Sequence, residues 1–68
     1  MFTVEFVRDT ELNIDRPPHG IYFEKGETID AEKWERHADM VHIETLDYGE
    51  LIIFIEDIEI WKKTQVHP

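Results

Sequence analysis

His37, Asp39 and His42 lie within six residues of one another and invite a metal or acid–base reading. A zinc site needs three or four ligands that converge, each oriented by a second layer of hydrogen bonds. On a strand, His42 and Glu44 share a face, while His37 lies beyond a turn. No HExxH or HxH spacing occurs, so these are read as surface histidines on a polar edge. Glu56, Asp57 and Glu59 could gather around a hard cation, but no Asp-x-Asp-x-Asp-Gly loop spaces them for one. They read as a solvated acidic rim, and no metal or cofactor is expected.

Nucleophilic chemistry has no constellation to work with. There is no cysteine and no serine, and Thr3, Thr10, Thr28, Thr45 and Thr64 lack a nearby base motif. Gly20, Gly26 and Gly49 are too scattered for a phosphate loop. Hydrolysis by paired carboxylates needs a cleft that a chain of 68 residues rarely shapes. The expectation is a protein that is not an enzyme.

The aromatic residues are the better lead. Trp34, Trp61, Tyr22 and Tyr48 are more than a small core can hide. Either both tryptophans half-bury and cap the open ends of the fold, or one or both stand on the surface as interface anchors, where Trp and Tyr are enriched.

Charge narrows the partner. The net charge is −9, and residues 41–60 hold six acids (Glu44, Asp47, Glu50, Glu56, Asp57, Glu59) without a lysine or arginine. Nucleic-acid affinity comes mainly from Lys and Arg neutralising phosphates, so direct nucleic-acid binding is disfavoured. An anionic membrane surface is disfavoured for the same reason.

The elements that must position these groups are short and mostly extended. Met1 to Val7 alternates Phe2, Val4 and Phe6 against Thr3 and Glu5, a strand with one buried face. Arg8 to Gly20, with its Pro17-Pro18 pair, reads as a long loop anchored by Leu12 and Ile14. Ile21 to Phe23 is a short strand, and Glu24 to Glu27 a turn with Gly26 at its positive-φ position. Thr28 to Asp39 is ambiguous. Its helix formers favour a short helix at about 30–38, and a strand from Thr28 to about Trp34 competes. Met40 to Leu46 alternates again, Asp47 to Gly49 is a hairpin connection, and Glu50 to Ile55 is the most apolar strand, expected to be central. Glu56-Asp57 breaks it, and Ile58 to Trp61 is a last short strand. The predicted core is Val4, Phe6, Ile21, Phe23, Val41, Ile43, Ile53 and Ile58.

Such a chain is long enough for one domain, placed at residues 1–62, with a frayed tail at 63–68. The N-terminus lacks the basic start and apolar run of a signal peptide, and the longest apolar run is far too short to span a bilayer. Cysteine absence fits a reducing compartment, so a cytoplasmic location is expected. Strands with regular turn signals suggest a small barrel of about five strands, whose closure removes exposed edges.

The order of these signals resembles a group of small phage and mobile-element proteins with a Src homology 3-like barrel. The resemblance rests on Val7-Arg8-Asp9 with Glu11-Leu12, on Phe23-Glu24-Lys25-Gly26-Glu27, and on Glu56 to Ile60, and it covers roughly Val4 to Trp61. It implies a strand at Thr28 to Trp34, which is taken here over the short helix because tertiary pairing often overrides propensity, and a helical turn at Glu56-Asp57-Ile58 before the last strand. Proline is usual just ahead of that turn in the group, where this chain has Phe54-Ile55. The resemblance implies no activity.

Two functions follow as expectations. The first is a non-catalytic protein-binding module, with an acidic face of Glu44, Glu50, Glu56, Asp57 and Glu59. Trp61 is its preferred anchor and Trp34 a second. In its sharper form the acidic surface imitates nucleic-acid phosphates, as a phage-encoded inhibitor of a host protein would. The second is a structural accessory protein that self-associates as a homodimer, helped by an apolar strand such as Leu51 to Ile55 near an edge.

Overall fold

The structure, a computed structural model, describes residues 1–14 and 17–62. Among the described residues seven strands follow in chain order: β1 (Phe2–Phe6), β2 (Thr10–Asn13), β3 (Gly20–Phe23), β4 (Thr28–His37), β5 (Met40–Thr45), β6 (Gly49–Phe54) and β7 (Ile58–Lys62). A 3-10 turn, Ile55–Asp57, joins β6 to β7. The expected tail at 63–68 lies outside the described residues. Among the described residues no helix is long and apolar enough to cross a membrane.

The strands form an antiparallel five-stranded sheet in the order β6-β5-β4-β1-β7 and a separate two-stranded ladder, β2-β3. The fold is therefore mainly β, as expected. Closure is not as expected: β6 and β7 stand at the two ends of the hydrogen-bonded order, and among the described residues no closed barrel is found.

Side-chain alternation builds the core. Val4 and Phe6 of β1, Phe23 of β3, Ala31 of β4, Val41 and Ile43 of β5, Leu51 and Ile53 of β6, and Ile58 of β7 point to one interior. Phe6 and Phe23 stack face to face at 4.2 Å, and Tyr48 meets Phe23 edge-on at 5.3 Å. Ile21 is a correction: it is only half-buried, while Ala31 and Leu51 are fully part of the core.

Residues 28–38 are not a helix. The ten residues of β4 run as far as His37, beyond the strand limit expected at Trp34. Their helix propensity is overridden by ladders on both sides, because Ala31 pairs with Phe2 of β1 and with Thr45 of β5. Between Ala31 and Lys33 the register shifts, so Glu32 is the extra residue of a bulge. From Glu32 onward every β4 residue is exposed.

The expected loop from Arg8 to Gly20 is also corrected. Thr10–Asn13 is a strand, paired residue for residue with β3 from Phe23 back to Gly20. The Thr10 hydroxyl donates to Arg8 O at 2.9 Å and is nearly buried, and Leu12 and Ile14 pack on the core as expected. The final turn lies one residue earlier than the resemblance implied. Ile58 belongs to β7 and is buried.

The largest correction concerns β6. It was expected to be central, and it is an edge strand. A run of five apolar residues does not show which members face inward. Here Leu51 and Ile53 do, and Ile52 and Phe54 do not.

Candidate functional site

The outer face of β4, β5 and β6 carries three cross-strand rows. Pairing is direct between neighbours, so each row shares one side of the sheet. His37, Met40 and Phe54 form the first, Glu35, His42 and Ile52 the second, and Lys33, Glu44 and Glu50 the third. Ile52 and Phe54 are 48% and 54% exposed, two residues apart on one edge strand. Large apolar side chains grouped this way and rimmed by polar groups mark interaction surfaces.

The rim is mostly acidic. Glu44 and Glu50 face each other directly across β5 and β6. Lys33 Nζ lies 3.7 Å from Glu44 Oε1, and His42 Nδ1 lies 3.9 Å from Glu50 Oε1. His37 Nε2 is 3.4 Å from Glu35 Oε1, and the two imidazole rings meet edge-on at 4.9 Å. At the other end of the patch, Asp39 and Glu56 flank Phe54 and Ile55 around a hollow of about 170 Å³. Among the described residues no group of three or more His, Asp or Glu side chains is placed to hold a metal ion.

The residues predicted from sequence divide into three places. Glu44 and Glu50 belong to the third row, and Glu56 closes the patch beyond Phe54. Asp57 does not join them. Its carboxylate lies 3.3 Å from Arg8 Nε and its own carbonyl accepts from Val7 N–H at 2.9 Å. Nearby, Asp9 Oδ1 accepts from Lys25 N–H at 2.8 Å, and Gly26 N–H donates to Phe6 O at 2.7 Å. The Arg-Asp, Lys-Gly-Glu and Glu-Asp motifs thus meet at one corner and tie the fold together there.

Glu59 and Trp61 occupy the far end of the sheet. Glu59 stands opposite Glu5 and Trp61 opposite Thr3, with β1, β4 and β5 between them and β6 in the hydrogen-bonded order. The two tryptophans do not act together. Trp34, 38% exposed, packs edge-on against Phe2 at 6.3 Å, whereas Trp61, 48% exposed, stands opposite Thr3. Phe2 and Thr3 are consecutive in a strand and point to opposite faces.

Sequence reasoning missed Ile52, Phe54 and Met40 as surface residues. The only signal was the edge placement considered for self-association, and an unbroken apolar run concealed the alternation. It also missed the His37–His42 contact, because a tight turn at Ala38-Asp39 folds one strand back onto the other.

A second hollow of about 480 Å³ lies between the β2–β3 hairpin and the β5–β6 turn, lined by Ile14, Pro17, Pro18, Tyr22, Asp47 and Tyr48. The Tyr22 hydroxyl is held above its ordinary pKa, first by loss of solvent and then by the charge and hydrogen bond of Asp9, with Glu24 and Glu27 adding to it. Comparison of the chain with protein-family models, curated proteins and solved structures returned no match.

Proposed function

We propose that this chain is a non-catalytic protein-binding module that docks through the outer face of β4, β5 and β6. One observation carries the reading: Ile52 and Phe54, both about half exposed, stand side by side with Met40 inside a rim of Glu44, Glu50, Asp39 and Glu56. Burying such side chains supplies affinity, and the carboxylates steer a partner whose own apolar patch is ringed by lysine and arginine. The anchor is Phe54 in place of Trp61. The sheet order and the 3-10 turn before the last strand support a Src homology 3-like reading of the scaffold.

The acids favour steering over imitation of phosphates. Asp57 is engaged by Arg8, and Lys33 sits beside Glu44, so they do not form an unbroken anionic row.

Affinity capture from a cell lysate at low and high salt tests the proposal. A partner held by the wild type should weaken at high salt and be lost with Phe54→Ser. Glu50→Lys combined with Glu56→Lys should slow its association. Partners indifferent to all three changes, or tight binding of purified protein to DNA or RNA at physiological salt, would overturn the proposal.

A further inference from the structure

The ladder between β5 and β6 also determines which main-chain groups are left unpaired. Ile55 N–H donates to Asp39 O at 2.8 Å, which makes 39 and 55 a hydrogen-bonded pair. In an antiparallel ladder such pairs alternate with pairs that share no bond. The bonded pairs on β6 are then Val41 with Ile53 and Ile43 with Leu51, following the register. Glu50, Ile52 and Phe54 therefore turn their N–H and C=O groups away from β5. Among the described residues no strand pairs with that side of β6. The three residues with outward main-chain groups are the same three whose side chains line the docking face.

A hollow of about 400 Å³ is lined by Glu50–Ile52 together with Leu12–Ile14, where β2 comes near β6, and a smaller hollow at Phe54 continues toward Glu56 and Asp39. Unpaired groups beside open space are a template for an incoming strand.

We infer that β6 receives an added strand, an extended cationic segment of a partner protein. The inference rests on the docking face proposed above and specifies how that face is used. On the added strand, alternate side chains lie over the same face as Glu50, Ile52 and Phe54. The middle two are apolar, against Ile52 and Phe54. The outer two are lysine or arginine, one reaching Glu50 and the other Glu56 and Asp39. A second copy of this chain fits less well, because it would set two chains of net charge −9 edge to edge.

The test uses the heptapeptide acetyl-Lys-Thr-Val-Thr-Val-Thr-Lys-amide and isotope-labelled full-length protein. Its pattern reads the same in both directions, so it serves a parallel or an antiparallel approach. Binding should shift the amide signals of Glu50, Ile52 and Phe54 and slow their hydrogen exchange. N-methylating one alternate set of peptide amides should weaken binding at least tenfold, and methylating the other set should change it little, because only one set faces β6. Equal tolerance of both sets would overturn strand addition, as would undisturbed β6 amides at saturating peptide. If capture of a partner still depended on Phe54 in those cases, the docking proposal would stand without the strand. A dimer of the free protein held through β6 would also overturn the inference, since the edge would already be occupied. Loss of both the peptide effect and the Phe54 dependence would remove both proposals.

Discussion

Asp57 Oδ1 lies 3.3 Å from Arg8 Nε, while the adjacent Glu56 points into solvent beside Phe54. Two neighbouring carboxylates therefore have different work, one holding the corner of the fold and one bordering the docking face. Replacing Asp57 by Ala should lower stability by about 1 kcal/mol, the scale of a partly exposed ion pair. Glu56→Ala should leave it within about 0.5 kcal/mol. Thermal melting of the two variants checks this, and equal losses would contradict the division.

Consecutive residues on β6 should behave in opposite ways. Ile53 is almost fully buried, so Ile53→Ala should cost on the order of 2–5 kcal/mol, enough to threaten a domain of this size. Ile52 is half exposed, and Ile52→Ser should cost under about 1 kcal/mol. Denaturant unfolding reads both. A reversed order would mean that the strand register is wrong.

Ala38 adopts φ +55° in the two-residue turn between β4 and β5. That left-handed conformation costs a side-chain-bearing residue roughly 1–2 kcal/mol, part of which glycine gives back through its looser unfolded state. Ala38→Gly should raise stability by about 0.5 kcal/mol, and Ala38→Val should lower it, both measured by melting temperature.

Glu5 and Glu59 stand directly opposite each other on β1 and β7. Like charges in that arrangement are destabilising, so Glu59→Lys should stabilise the fold by roughly 0.2–1 kcal/mol. The gain should shrink at high salt, where the repulsion it removes is already screened. A loss at every salt concentration would show that Glu59 is needed where it stands.

Tyr22 should ionise above the ordinary phenol value of about 10. Because its folded-state pKa is raised, the native state keeps the proton longer than the unfolded chain does. The associated stability is complete below about 10 and is lost as pH rises through the folded pKa. Absorbance titration should show Tyr22 shifted upward, with the shift reduced in Asp9→Asn.

By itself the sequence determined the β character, most of the core and the acidity. Alternation in Met1–Val7 and Met40–Leu46 reports a buried face directly, since period two admits one assignment of inside and outside. Charge depends only on composition, and so do the missing nucleophiles. Tertiary pairing decided the rest. Leu51 to Ile55 is apolar at every position, so only its register with β5, Leu51 opposite Ile43 and Ile53 opposite Val41, shows that Ile52 and Phe54 face outward. Residues 28–38 carry helix propensity, and they extend because β1 and β5 offer ladders on either side. A stretch of chain without a lysine or arginine does not make a face without one. Lys33 reaches Glu44 across the β4–β5 pair, and Arg8 reaches Asp57 from the end of β1. Hydrogen bonding between strands brings together residues far apart in the chain, and the character of each surface is set by that juxtaposition.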